Sequence, residues 1–304
     1  MIATENKKTG IKRNEGFGMK VLLGDKLVER EDVKIDMEDR GYQFGDGLYE
    51  VIRAYNGTFF TADEHIERLF RGAEKIELVL PFTKEELKNR LNELLVANNI
   101  KTGNVYFQVT RGIASPRNFT YPDPTKVPAI FTASVTDVPR DQEQMDKGVT
   151  AIILPDYRWL HCDIKSISLL GNVMAKHEAH KKGADEVVQH RDGVVTEGGS
   201  ANMWMVKDGT IYTHPDGNLV LPGITKIVLL KVAREAGIPV KEESFTLEQL
   251  KEADEVFTSS TTIEAMPVIE IEGVPVGDGK RGPIVKQLQD LYVADVEKNC
   301  GKIR

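Results

Sequence analysis

Lys165 lies in an apolar-leaning stretch, Trp159-Leu160-His161-Cys162-Asp163-Ile164-Lys165-Ser166-Ile167-Ser168-Leu169-Leu170, just before a helical pattern. A lysine is rarely drawn out of water without a reason. A desolvated ammonium gives up its proton readily, and the free amine can then bond an aldehyde carbon. A snorkelling lysine, stem buried and ammonium in water, is the ordinary alternative. Three further patterns bear on the choice. Thr196-Glu197-Gly198-Gly199-Ser200-Ala201-Asn202 sets a carboxylate at a strand end beside a glycine pair, where the backbone can approach a flat ligand closely. Leu221-Pro222-Gly223-Ile224-Thr225 runs into a helix whose first N–H groups can hold a phosphate. Thr258-Ser259-Ser260-Thr261-Thr262 follows a strand with a cluster of hydroxyls suited to the same anion. Singly, these read equally as a hairpin turn, a helix cap and a polar loop. Together they describe a phosphorylated aromatic cofactor, with lysine for an aldehyde, glutamate for a pyridinium nitrogen and two anion-binding elements for the phosphate.

Other chemistries find little support. There is no P-loop and no G-x-S-x-G elbow, and Gly45-Asp46-Gly47 alone is a weak nucleotide signal. His177-Glu178-Ala179-His180 spaces its histidines three apart, whereas a metal pair on a helix needs four to share a face. That helix reads as a solvated face, and no metal is expected. Cys162 sits beside apolar residues and reads as a buried spectator.

The elements that must hold these residues follow from periodicity. The spacing predicts a strand over 47–55 and a helix over 62–76, with Ile66, Leu69 and Phe70 on one face. Thr83-Lys84-Glu85-Glu86 is a capping box that opens a helix striped by Leu87, Leu91, Leu94 and Leu95. Strands are expected at 105–112, 129–135 and 149–154, and a helix at 168–182 with Gly183 beyond it. Short strands at 186–190, 194–197, 203–207 and 210–213 are joined by Asp192-Gly193 and Asp208-Gly209 turns, a hairpin signature. Helices close the pattern near 225–236, 246–252 and 283–298. The expectation is an α/β (α+β) protein of two mixed domains with the cofactor between them. Residues 19–140 form the smaller, the polar stretch 141–147 a linker, and 148–304 the larger, carrying Lys165. Residues 1–18 are polar and basic without periodicity and read as a disordered tail.

With 304 residues, 40% hydrophobic and 29% charged, the chain can bury two cores. Lys and Arg number 40 against 47 Asp and Glu, a net charge of −7, which argues against nucleic acid or an anionic membrane as partner. Two cysteines make no disulfide framework and fit a reducing, cytoplasmic compartment. No apolar run approaches a membrane span.

The passages DRGYQFGDGLYEVIR (39–53), NVYFQVTRG (104–112), RWLHCDIKSISLLGNVMAK (158–176), VTEGGSANMW (195–204), LPGIT (221–225) and FTSSTTIE (257–264) occur in family order. In them the sequence resembles the class IV aminotransferases, the fold-type IV pyridoxal phosphate enzymes, from about Met19 to about residue 295. The likeness is greatest to the branch that acts on D-amino acids. The resemblance implies pyridoxal 5′-phosphate as cofactor, amino acids and 2-oxo acids as substrates, and a homodimer whose site is completed across the interface. It implies that Lys165 bonds the cofactor aldehyde and moves the proton, and that Glu197 partners the pyridine nitrogen. Arg68, Ile224, Thr225, Ser260 and Thr261 match phosphate contacts, Ser200 and Leu221 match residues near the cofactor ring, and Tyr49 matches a wall of the substrate pocket. Without the resemblance, Tyr49 would be ordinary strand packing and Arg68 a helix-surface charge.

One passage departs from the pattern. The D-amino acid branch carries an Arg-x-His pair that traps the substrate carboxylate across the subunit interface. Here Arg117-Asn118-Phe119 keeps the arginine and replaces the histidine, and the preceding loop is one residue longer. Phenylalanine offers no donor, so Arg117 either binds the carboxylate alone, by its fork, or lines a more apolar pocket. As an isolated residue it would be a surface arginine on a loop. The expected reaction converts D-alanine and 2-oxoglutarate into pyruvate and D-glutamate. Branched-chain L-amino acid and (R)-amine transaminases share the cofactor site, and aminodeoxychorismate lyase shares the fold.

Overall fold

The computed structural model describes residues 19–303. The tail expected over residues 1–18 lies outside the described residues.

The first half of the chain gives β1 (Lys20–Leu23), β2 (Lys26–Glu29), α1 (Arg40–Phe44), β3 (Gly47–Tyr55), β4 (Thr58–Phe59), α2 (Ala62–Lys75), α3 (Lys84–Ala97), β5 (Gly103–Thr110) and β6 (Ile130–Asp137). Its strands form one antiparallel sheet in the order β2-β1-β6-β5-β3-β4. Strand alternation sets the buried face. Val105, Phe107 and Val109 of β5 and Leu48, Ile52 and Ala54 of β3 point inward against α2 and α3. The capping box starts α3, with the Thr83 side chain accepting from Glu86 N and the Glu86 carboxylate from Thr83 N. The four leucines of its stripe are all buried. The same parity turns Glu50 inward from β3, so a carboxylate enters the core.

The second half gives α4 (Gln142–Lys147), β7 (Val149–Pro155), α5 (Leu170–Lys181), β8 (Glu186–Arg191), β9 (Val194–Val195), β10 (Asn202–Lys207), β11 (Thr210–Thr213), α6 (Ile224–Glu235), β12 (Val240–Lys241), α7 (Leu247–Lys251), β13 (Glu255–Ser260), β14 (Glu264–Ile271), β15 (Val274–Pro275) and α8 (Pro283–Cys300). They build a nine-stranded mixed sheet ordered β12-β11-β10-β13-β14-β7-β8-β9, with β15 on β14. Alternate residues of β10 serve two cores. Met203 and Met205 join one with Val149, Val256 and Val268, while Trp204 and Val206 join the other with α6 and α8. Tyr55 and Phe60, from the first sheet's edge, are buried in that second core beside Tyr292.

Three local expectations change. The stretch 141–147, read as a linker, contains α4, capped by the Asp141 side chain accepting from Gln144 N at 2.9 Å. Its one apolar residue, Met145, is buried, and a single docking residue gives no periodicity to read. The strand expected at 194–197 ends at Val195. Glu197 stands beyond it in a tight turn closed by Gly198 N donating to Ala201 O at 2.7 Å. The helix expected from Ser168 begins at Leu170, because the Ser166 and Ser168 region pairs with β3 instead.

Candidate active site

The segment that carries Lys165 is laid against the start of β3. Tyr49 N donates to Lys165 O at 3.1 Å, Ile167 N donates to Gly47 O at 3.1 Å, and Leu48 and Ser166 form an antiparallel bridge. The segment belongs to the second half of the chain yet extends the first sheet. Its lysine therefore opens into a cavity of about 900 Å³ where the two sheets meet. Lys165 Nζ rests 4.3 Å from the centre of the Tyr49 ring. Tyr49 stacks in turn on Tyr106, ring centres 5.7 Å apart. Burial, with Tyr49 beside it, pushes the Tyr106 hydroxyl up to about 12.

Glu197 faces the same cavity and is buried. Its Oε1 accepts from Asn202 Nδ2 at 2.9 Å and Leu221 N at 2.8 Å, and its Oε2 accepts from Arg158 Nη1. Burial pushes the Glu197 carboxyl above the ordinary carboxylate range, against the pull of Arg158 and the Leu221 N–H. A carboxylate has about four acceptor positions, so one remains on Oε2 for a ring nitrogen's proton. Arg158 is fixed from behind by Asp156, with Nε to Oδ1 at 2.9 Å and Nη2 to Oδ2 at 2.8 Å. Asp156 also accepts from Thr196 Oγ1 at 2.9 Å and Arg191 Nε at 3.1 Å. Burial works to raise the Asp156 carboxyl, but the Arg158 bonds and charge outweigh it and bring it down to about 2.

Another part of the cavity wall forms a cup for an anion. It is lined by Arg68, Gly223, Ile224, Thr225, Ser260 and Thr261. Arg68 Nε and Nη2 donate to the two oxygens of Glu50 at 2.7 and 2.8 Å, and Nη1 donates to Pro222 O at 2.8 Å. A guanidinium has five N–H groups, so two stay available to a ligand. His65 Nδ1 lies 2.8 Å from the other side of Glu50. Burial alone would raise the Glu50 carboxyl, but Arg68 and His65 hold it far below the ordinary range. At α6 no side chain caps Gly223, and the first intrahelical bond runs from Ile227 N to Gly223 O at 3.0 Å. The N–H groups of Ile224 and Thr225 therefore lack intrahelical partners and carry the positive end of a twelve-residue helix. A Cβ at Gly223 would sit 2.0 Å from Asn202 Oδ1, so only glycine brings this turn so close to the start of β10, where the Asn202 amide holds Glu197.

Of the residues singled out in the sequence, Tyr49, Arg68, Lys165, Glu197, Ser200, Leu221, Ile224, Thr225, Ser260 and Thr261 all line this cavity. Arg117 and Phe119 do not. Both are exposed, and they pack against Phe44, with the Arg117 guanidinium 4.2 Å from its ring centre and the Phe119 ring centred 5.3 Å away and tilted by 49°. Phe44 itself lines the cavity. Sequence reasoning overlooked Glu50, His65, Asn202 and Arg158. The inward parity of Glu50 on β3 was the one available signal. Nothing in the order of residues distinguishes Arg158 from a surface arginine.

An amine, a buried carboxylate and an anion cup thus face one cavity. That set suits a planar, phosphorylated pyridine aldehyde, whose aldehyde meets an amine, whose ring nitrogen meets an acceptor and whose phosphate meets N–H and O–H donors. The known proteins that resemble the chain agree. The sequence profile described as amino-transferase class IV matches residues 47–271. A protein named D-alanine aminotransferase from Listeria monocytogenes serotype 1/2a (strain 10403S) is 54% identical over 285 residues, 94% of this chain and 99% of its own. One of the same name from Staphylococcus haemolyticus is 49% identical over 91% of this chain and 98% of its own. The branched-chain amino acid aminotransferase of T.th., solved with pyridoxamine 5′-phosphate, superposes with a TM-score of 0.84 at 26% identity, over 94% of this chain and 95% of its own. The Escherichia coli branched-chain enzyme superposes at 0.85 and 24% identity, over 94% of this chain and 100% of its own, a likeness of fold alone. The chain belongs to the class IV aminotransferases.

Proposed function

We propose that the protein is a pyridoxal phosphate-dependent D-amino acid transaminase, which takes the amino group of D-alanine and passes it to 2-oxoglutarate. The observation that carries this reading is the facing of Lys165, Glu197 and the anion cup across one cavity, in a chain 54% identical to a D-alanine aminotransferase over 94% of its length. When bound, pyridoxal phosphate supplies an aldehyde that takes up the amino group and a protonated ring that withdraws electrons. Arg68, the Ile224 and Thr225 N–H groups and the Ser260 and Thr261 hydroxyls hold the phosphate. Ser200 and Leu221 flank the ring. Glu197 Oε2 keeps a proton on the ring nitrogen, and its raised basicity serves that task. Lys165 Nζ would be the amine that holds the aldehyde and, when freed by the donor's amino group, the base that takes the Cα proton and the acid that returns it. Tyr49 walls the substrate side and steadies the ammonium of Lys165 through its ring face.

Tyr157 and Leu170, which line the cavity, are 81% and 72% exposed, and Phe119, packed on the lining Phe44, is 77% exposed. Such apolar surface is costly in water, and a second copy of the chain is its natural cover. In that dimer Arg117 and Phe119 complete the neighbour's site, where Arg117 binds the substrate carboxylate without the help of a histidine. Both cysteines are free thiols, which fits a cytoplasmic enzyme. Among the described residues no helix is long and apolar enough to cross a membrane.

Turnover of D-alanine with 2-oxoglutarate, compared with L-leucine and an (R)-amine as donors, tests the reading. It predicts pyruvate and D-glutamate from D-alanine and little product from the other donors. Preference for L-leucine or the amine would overturn the choice of donor, and pyruvate from aminodeoxychorismate without an acceptor would overturn the reaction class.

A further inference from the structure

Thr261 and Thr262 belong to a tight hairpin between β13 and β14, in which Ser260 pairs with Glu264. Glu264 closes that hairpin at φ +54°, in the left-handed region that glycine or asparagine normally takes. A glutamate there needs a reason, and its side chain supplies one. The carboxylate is buried and accepts from Arg140 Nε and Nη2, both at 2.7 Å, and from the Tyr55 hydroxyl at 3.0 Å. A two-pronged guanidinium pair of this kind fixes orientation as well as distance.

The three partners come from three places. Tyr55 ends β3 of the first sheet, Arg140 lies on the passage between the sheets, and Glu264 opens β14 of the second. Tyr292, from α8, packs with Tyr55 and Phe60 in the same core. The grip on Glu264 therefore ties the hydroxyl hairpin of the anion cup to the end of β3. None of Tyr55, Arg140, Glu264 or Tyr292 lines the cavity.

We propose that Glu264 is a positioning residue for the cofactor phosphate. Gripped by Arg140 and Tyr55, it holds the hairpin in the one conformation that aims the Ser260 and Thr261 hydroxyls into the cup. The proposal rests on reading the cavity as a pyridoxal phosphate site. Its carboxylate is matched by Arg140, so the pair brings no net repulsion to the phosphate it serves. Loss of the grip releases the hairpin and weakens the hold on the phosphate, while the hold on the ring and aldehyde is unchanged.

The test compares pyridoxal phosphate with pyridoxal, which lacks the phosphate, titrated into the full chain and followed by the absorbance of the bound chromophore. In Glu264→Gln the preference for pyridoxal phosphate over pyridoxal is expected to fall about tenfold, with pyridoxal affinity within about twofold of the parent. Arg140→Met is expected to match it. Tyr55→Phe keeps the Arg140 pair and is expected to lose about threefold, which keeps the test open if the other two fail to fold. Equal weakening of both aldehydes, or no change in either, would overturn the proposal and leave a plain stitch between the sheets. A parent protein with no preference for the phosphorylated aldehyde would overturn the cofactor reading itself, and the clamp with it.

Discussion

Lys165 and Tyr49 are joined twice, through the backbone bond from Tyr49 N to Lys165 O at 3.1 Å and by the Lys165 ammonium lying 4.3 Å from the Tyr49 ring centre. The strand that walls the cavity thus fixes the height of the lysine. Removing the amine leaves the pocket and the anion cup in place. Lys165→Ala is expected to lose turnover by about a thousandfold or more, while the phosphate still binds. Steady-state rates and cofactor titration check this, and normal activity in the variant would refute the role of Lys165.

Glu197→Gln keeps the shape of the side chain and an oxygen for Asn202 and Leu221, but its amide nitrogen can accept neither from Arg158 nor from a protonated ring nitrogen. The expected result is a fall in kcat of about a hundredfold with cofactor affinity changed far less. A variant that loses cofactor and rate in equal measure would show a packing role.

Asp156 gives a pH signature. Its carboxyl is brought down to about 2 in the folded protein, from an ordinary value near 4. A depressed carboxyl contributes stability that is fully present above the ordinary value and fades as pH falls through the folded one. About 2 kcal/mol is therefore expected to disappear between about pH 4 and pH 2. Denaturant unfolding across that window should show a shallower slope in Asp156→Asn than in the parent. Equal slopes would mean that Asp156 is not held down by Arg158.

Glu50 lies under Arg68 with no contact to solvent, and its removal strands a buried guanidinium. Glu50→Gln is expected to destabilise the fold by about 3–5 kcal/mol, as breaking one side of a buried pair does. Chemical denaturation measures it, and a loss within 1 kcal/mol, about the worth of a surface pair, would place the pair in effective contact with water.

Much of this architecture is legible in the order of residues. The β3 strand runs from Gly47 to Tyr55 as its glycine and turn punctuation indicate, and the Thr83 capping box starts α3 where it stands. Asp192-Gly193 and Asp208-Gly209 both take the paired left-handed conformations that two-residue hairpin turns require. Such signals are local. Arg158 and Glu197 lie 39 residues apart and Arg140 and Glu264 lie 124 apart, and a buried charge carries no local mark of its partner. Met145 shows the same limit, since one apolar residue in a polar run docks a helix that periodicity cannot announce. Phe119 beside the retained Arg117 is legible as a departure from the family pattern, but the packing of both on Phe44 is a long-range contact that no local signal announces.

If Arg117 alone reads the substrate carboxylate, Phe119→His adds a second donor at that point. The KM for D-alanine is expected to fall severalfold, about the worth of one hydrogen bond, with kcat little changed. Steady-state kinetics on D-alanine decide the matter, and an unchanged KM would mean that the carboxylate is bound elsewhere.

If Lys165 moves the Cα proton of a D-amino acid, the hydrogen at that carbon exchanges with water through its amine. Exchange of the Cα deuterium of labelled D-alanine and L-alanine into water, followed by NMR with the holoenzyme, tests it most directly. Rapid loss of label from D-alanine, slow loss from L-alanine, and none above background with Lys165→Ala are expected. Faster loss from L-alanine, or loss that survives replacement of Lys165, would contradict it.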